Sequence, residues 1–413
     1  MNPTQTLLLR LLDCALHGKT MPPQSAVGAD WDALVQMAKS HHIESLLLDA
    51  ALSLPEDEAP AGELREKWQA LALNEMMSQG ALAIQASMLT QALEAAGVKA
   101  VMLKGMALKA LYPQPDLRTM SDLDLLVAPE QQQAALAAME TAGYALLEEE
   151  PGVHVLRGEQ GLRVELHERL FDKTETGFLA RLDEGTVFAV ERAVREEVYC
   201  GQAWVFPPQE HLAFLLLHMA KHLITTGFGL RQLADFSLYV QKRGGEIDFA
   251  ALRAQMRSLG LEGMLDALLE ICRQWLSLPD GPWYGADMQA QGAQALLEDI
   301  LSAGVFGKSS KERTRSAAVV YRSFESADGD KGRLLRALFP SARTLKAPYL
   351  YARRHPWLLP VAWAHRLFNY VRLRLTGRAT RTEEVEGMRI ADERLCLLGA
   401  LGMRDGAQGN GRK

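Results

Sequence analysis

Cysteine is scarce in this chain: Cys14, Cys200, Cys272 and Cys396 are the only four, and they lie far apart. None forms a CxxC pair or any metal-ligand spacing, which excludes a thiolate zinc site and predicts four reduced thiols in a cytoplasmic protein. Long apolar runs are missing as well. The run at 7–12 is interrupted by Arg10 and followed by Asp13, too short and too charged for the core of a secretory signal. Residues 356–371 come nearest to a membrane span, and His365 and Arg366 break them well short of ~20 apolar residues. An overall positive charge is also lacking. A formal net charge of -6 excludes a protein that coats nucleic acid through one continuous basic surface. No segment repeats at a fixed period.

What is present is an ordinary globular composition, 48% hydrophobic and 23% charged over 413 residues. That length allows roughly two or three domains and a large buried core. Residues 1–97 read as helical: TQTLLLRLLDCAL and WDALVQMAKSHHIESLLLDAAL place apolar residues at i, i+3, i+4, and a long helix follows from about 64 to Gly97. The period then changes. Over 98–206 come the apolar runs AVML and LDLLV, a helix EQQQAALAAMETAGY, and three candidate strands, ALLEEE, GVHVLRG and GLRVELHE. Strands with interspersed helices predict an α+β core with a mixed sheet. Helical patterns return over 207–305 and continue through a basic, aromatic region, 306–402. A Gly-rich tail, 403–413, is expected to be disordered.

The densest chemical signal is LKG followed by RTMSDLDLLV. On a strand Asp122 and Asp124 point to one side while Leu123 and Leu125 point to the other. Two such carboxylates at a sheet edge repel each other, and a hard divalent cation relieves that repulsion. Glu165 and His167 in RVELHERL share the alternation, so a neighbouring strand would bring a third carboxylate beside the pair, the equipment for clamping a phosphoryl displacement with divalent ions. Gly105 stands at a strand-to-helix turn where backbone N–H groups can approach a phosphate. Lys104 and Arg118 supply positive charge for it, and both are expected to face the pocket rather than to pair with a structural carboxylate.

These residues look like the DNA polymerase beta-type nucleotidyltransferase superfamily, whose fingerprint is an apolar strand, Gly-Gly or Gly-Ser, Asp-x-Asp/Glu, and a third carboxylate on a later strand. More narrowly, LKG, Tyr112, Arg118, SDLDLLV and ELH resemble an uncharacterised bacterial nucleotidyltransferase family with helical flanks, over most of the chain up to about residue 370. The resemblance implies a polymerase beta-like fold. It implies that Asp122, Asp124 and Glu165 are catalytic and hold Mg²⁺, with Mn²⁺ as a substitute, and that Lys104, Gly105, Arg118, Ser121 and His167 bind the nucleotide. The implied reaction moves a nucleoside monophosphate from an NTP donor to an unknown hydroxyl or phosphate acceptor. Lys104-Gly105-Met106 departs from Gly-Gly or Gly-Ser, so a serine hydroxyl is missing and Lys104 takes its place. The departure leaves two alternatives open: metal-dependent glycosyl transfer from a sugar nucleotide, and a non-catalytic nucleotide-binding adaptor in a surface-polysaccharide or peptide-modification pathway.

Three further features carry weaker signals. His218 and His222 in HMAKH, and Arg231 and Asp235 in LRQLAD, fall within the same resemblance and are read as packing against or closing over the nucleotide site, with Arg231 and Asp235 expected to pair at i, i+4. His41-His42 reads as a helix end. Residues 308–381 carry 17 Lys/Arg against 4 Asp/Glu, interleaved with Trp357, Trp363, Phe368 and Tyr370. That excess suits solvated helix faces, an anionic partner or a membrane surface.

Overall fold

The computed structural model describes residues 1–150, 152–170, 188–304 except 286, 287 and 289, isolated positions 313, 316, 320, 345 and 349, then 351–375 and 381–403. Of the tail expected to be disordered, 403–413, Met403 is described and buried and the rest lies outside these residues, as does most of the first part of the basic region 306–402. The chain divides into two compact units, residues 1–309 with 397–413, and residues 310–396.

In the first unit α1 (Pro3–His17), α2 (Trp31–Ser40) and α3 (Glu44–Leu52) precede the 34-residue α4 (Gly62–Ala95). Asn2 and Gln5 form a reciprocal capping box on α1, and the Asp30 side chain caps α2. The helical run from Trp31 ends at His41-His42, as its sequence suggests. His42 there adopts φ 52. The break buries His41, whose Nε2–H donates to Leu301 O at 3.3 Å while its Nδ1 accepts from the Leu230 backbone N–H at 3.2 Å.

Those two bonds need a neutral ring. Burial, opposed in part by the Leu301 carbonyl and aided by His42, pushes the His41 pKa down to about 4. The unfolded chain, with histidine near ~6.5, therefore binds the extra proton first as pH falls. Stability from this group is complete above about 6.5 and is lost progressively down to about 4, on the order of 3 kcal/mol in all. His41→Gln keeps a donor and an acceptor but cannot titrate. Urea unfolding of this variant across that window should show a shallower loss of stability than the native chain, and an unchanged slope would contradict the assignment.

Among the described residues the sheet has seven strands: β1 (Val101–Met102), β2 (Asp122–Leu126), β3 (Tyr144–Glu150), β4 (Val153–Gly158), β5 (Arg163–His167), β6 (Val194–Val198) and β7 (Gly201–Val205). Their order is β3-β4-β5-β2-β1-β7-β6. β5 with β2 and β1 with β7 pair in parallel, and the other neighbours are antiparallel. The carboxylate strand β2 is therefore fourth of the seven, in the centre and not at an edge. Leu123, Leu125, Val164 and Leu166 bury one face under Leu89 and Leu93 of α4 and Met139 of α6 (Gln132–Thr141). Alternation leaves Asp122, Asp124, Glu165 and His167 on the opposite face. The fold is mixed α+β. The hairpin β6–β7 was not foreseen, since VREEV and GQAWV are short and polar; its one signal is Gly201 at φ 107 between them.

Over the polar face come α7 (Pro208–Thr225) and α8 (Leu230–Arg243), followed by α9 (Phe249–Ser258), α10 (Glu262–Trp275) and α11 (Ala293–Ala303). The His211 ring on α7 is joined to Leu103 O just past β1, at 2.7 Å. In the second unit α12 (Tyr351–Arg354), α13 (Leu359–Leu375) and the start of α14 (Arg381–Ala400) are described. Leu345, Ala352 and Ala362 form its small buried cluster, while Trp357 and Phe368 are exposed. Among the described residues no helix is long and apolar enough to cross a membrane.

Candidate functional site

Two buried glutamines of α4 set the position of the carboxylate strands. Gln79 exchanges both bonds with the Met120 backbone, accepting from its N–H at 3.1 Å and donating to its carbonyl at 2.9 Å, just before β2. Gln85 accepts the Leu162 N–H at 3.1 Å, just before β5. A third buried residue, Lys109, donates to Arg118 O at 2.6 Å and Pro115 O at 3.2 Å and so fixes the loop that leads into β2. Each satisfies backbone groups that would otherwise be stranded in the interior. None of the three was foreseen; polar residues at inward positions of amphipathic helices were the available signal.

The parallel register sets Asp122 opposite Arg163, Asp124 opposite Glu165 and Leu126 opposite His167. One ligand atom each from Asp124, Glu165 and His167 lies within 4.8 Å of the others. Asp124 is 2% exposed, takes Lys104 Nζ at 3.2 Å and His167 Nε2 at 3.3 Å on Oδ1, and leaves Oδ2 buried with no hydrogen-bond partner among the described residues. Burial opposes the Asp124 charge, and Lys104 and His167 outweigh it, holding the pKa below the usual carboxylate value. Glu165 goes the other way: burial first, then repulsion from Asp124 and Asp122, raise its pKa. Lys104 is pushed down by burial and held up more strongly by Asp124, Asp122 and Glu165, so it stays cationic. An orphaned, ionised oxygen beside a second carboxylate and an imidazole is a donor set that fits a divalent cation. His167 thus stands among these donors. Asp122 lies at the more open start of β2, where its Oδ1 accepts from Ser121 Oγ at 3.3 Å, and it is outside the group of three.

These side chains open into a cavity of about 340 Å³, within the ~300–1,000 Å³ range of small-molecule sites. Gly105 is at its rim with φ 59, a backbone conformation that requires glycine, and the helix that follows, α5 (Met106–Lys109), is one turn long. α7 and α8 supply the far wall, with Phe214, His218, Lys221, His222, Arg231 and Phe236 among its lining residues. His218 Nε2 sits 3.0 Å from Lys104 Nζ, and His222 Nε2 is 3.2 Å from His218 Nε2. Burial first, then the Lys104 charge, hold both rings neutral, His222 with a pKa of about 3. His218 therefore accepts from the ammonium, and Lys104 is aimed by two acceptors, one on each wall. It is 25% exposed and not a solvated strand-end residue.

Arg118 departs from expectation. Its Nε donates to Asp235 Oδ1 at 3.0 Å, its Nη2 to Asp235 Oδ2 at 2.6 Å and its Nη1 to Thr119 O at 3.3 Å. Tyr112 adds its hydroxyl to Asp235 Oδ1 at 2.8 Å, and all three side chains are buried. Arg118 thus braces the loop before β2 against α8 through one bond from each of its three nitrogens, and it also lines the cavity. Asp235 is taken by this brace and not by Arg231, which instead donates through Nη1 to Thr119 O at 3.1 Å.

A family model described as "Uncharacterised nucleotidyltransferase" matches residues 28–277, which span the sheet, the carboxylates and α7 to α10. No curated protein and no solved structure matches the chain.

Proposed function

The chain belongs to this family of uncharacterised nucleotidyltransferases, and from that premise we propose that the cavity transfers a nucleoside monophosphate from an NTP to a hydroxyl or phosphate acceptor, on a polymerase beta-like core. The observation that carries the reading is the buried, unpartnered Oδ2 of Asp124, set beside Glu165 and His167. Asp124 and Glu165 would hold Mg²⁺, with His167 and Asp122 at its margin. A cation bound there neutralises phosphate charge and polarises the α-phosphoryl group.

The chain's own residues account for the rest. Lys104, fixed between Asp124 and His218, presents an ammonium to the donor phosphates without needing reorganisation. Gly105 lines the cavity at the turn into α5, where its positive φ shapes the backbone beside the carboxylates. Glu165, whose proton affinity is raised by burial and by its neighbours, is suited to take the acceptor's proton. In the transfer the acceptor oxygen bonds to the α-phosphorus, the bond from that phosphorus to the bridging oxygen breaks, the acceptor proton goes to the Glu165 carboxylate, and pyrophosphate leaves. Phe214 and Phe236 give the far wall of the cavity apolar surface beside the neutral His218–His222 pair.

Incubation of the chain with Mg²⁺, cell lysate and each α-labelled NTP in turn should label an acceptor with at least one of them. The γ-labelled form of that NTP should yield labelled pyrophosphate only, and chelation should stop both. Absence of acceptor label with all four NTPs, with release of sugar from a nucleotide-sugar instead, would contradict the reading.

A further inference from the structure

Resting on the donor reading above, we propose that Arg231 forms an anion subsite that grips the β- and γ-phosphoryl end of the donor nucleotide. Arg231 opens α8 and lines the cavity. Its Nη1 is anchored on Thr119 O at 3.1 Å, while its Nε is buried with no hydrogen-bond partner among the described residues. Asp235, one turn along the same helix, is committed to Arg118 and Tyr112. Arg118 therefore takes the carboxylate nearest to Arg231 along its own helix, and among the described residues no side chain meets the Arg231 guanidinium at hydrogen-bond distance.

A desolvated guanidinium without its own anion is unfavourable, and a planar fork with a bare N–H is shaped for an oxygen anion. Burial and the Arg118 charge lower its proton affinity, and the pull of Asp235 and Asp122 does not make up the difference. The anchor on Thr119 places Arg231 toward the open start of β2. Lys104 and Lys221 line the same cavity from the β1–α5 turn and from α7. Three cations from three elements suit a polyphosphate better than a lone carboxylate or monophosphate, which one arginine would satisfy. Arg231 thus holds the phosphate contact that the motif suggested for Arg118.

Calorimetric titration of the full-length chain separates this subsite from the reading beneath it. The probes are the Mg-NTP that the native chain binds best, the matching NMP, and Mg-pyrophosphate, each against native, Arg231→Gln and Arg231→Lys protein with thermal unfolding as the fold control. Arg231→Gln should weaken NTP and pyrophosphate binding at least tenfold and leave NMP binding unchanged, and Arg231→Lys should restore part of the loss. Native-like NTP and pyrophosphate affinities in Arg231→Gln would overturn the subsite while leaving the donor reading intact. An equal loss for all three ligands together with a lower melting temperature would assign Arg231 a structural role and overturn it as well. A native chain that binds none of the four NTPs would remove the donor reading itself.

Discussion

Asp124→Asn and Glu165→Gln should both abolish nucleotidyl transfer, by about 10³-fold or more, yet shift stability in different directions. Asp124 is the buried partner of Lys104 and His167 and is held ionised by them. Converting it to an amide leaves an acceptor for Lys104 but strips the ammonium of its nearest counter-charge inside the protein. A loss of about 2–3 kcal/mol follows, below the usual cost of breaking a buried pair because one hydrogen bond survives. Glu165 stands against its neighbours, raised by burial and by the repulsion of Asp124 and Asp122. Neutralising it removes that repulsion, so Glu165→Gln should fall within about 0.5 kcal/mol of the native chain or slightly above it. Urea unfolding in chelator, with label transfer measured on the same samples, tests the pair. Equal destabilisation by both changes would mean that the charges are not distributed as described.

Asp235→Ala should cost about 3–5 kcal/mol, the largest loss expected from any single change at the site. The substitution leaves the Arg118 guanidinium buried without an anion and the Tyr112 hydroxyl without its acceptor. The brace also joins the loop before β2 to α8, so its loss loosens the far wall of the cavity and not only one contact. Replacing both partners, as in Arg118→Met with Asp235→Leu, should cost much less than the sum of the single changes, because no unpaired charge remains. Denaturant midpoints for the two singles and the double close the cycle. A double variant as unstable as the sum would show that the brace acts through packing and not through charge.

Much of the chemistry was legible because a strand has period two. Asp122, Asp124, Glu165 and His167 could be placed on one face from spacing alone, and their neighbours Leu123, Leu125, Val164 and Leu166 on the other. Gly105 was readable because a turn into a helix needs a positive φ. The centre-of-sheet position of β2 was not, since strand order depends on crossovers that local pattern does not encode. Nor were the partners of Arg118: Asp235 lies 117 residues away, whereas Arg231 lies four residues from Asp235 and looked the natural mate. Gln79 and Gln85 were hidden for a related reason. Both lie on α4, and only the packed sheet shows that their amides meet backbone groups just before β2 and β5. The helix end at His41-His42 was readable from the sequence, but the burial of the His41 ring against Leu301 and Leu230 was not, because those partners lie far along the chain.

The proposal that matters most is that Asp124, Glu165 and their neighbours hold a divalent cation for a nucleotide. Mn²⁺ tests it directly, because the ion gives a strong paramagnetic signal when hydrated and free and a weakened one when bound. Native protein titrated into Mn²⁺ with a nonreactive NTP analogue should deplete the free-ion signal saturably, and Asp124→Asn, checked to be folded, should leave it at the level set by the nucleotide alone. Equal depletion by the two proteins, or none by the native chain, would contradict a metal centre at these carboxylates.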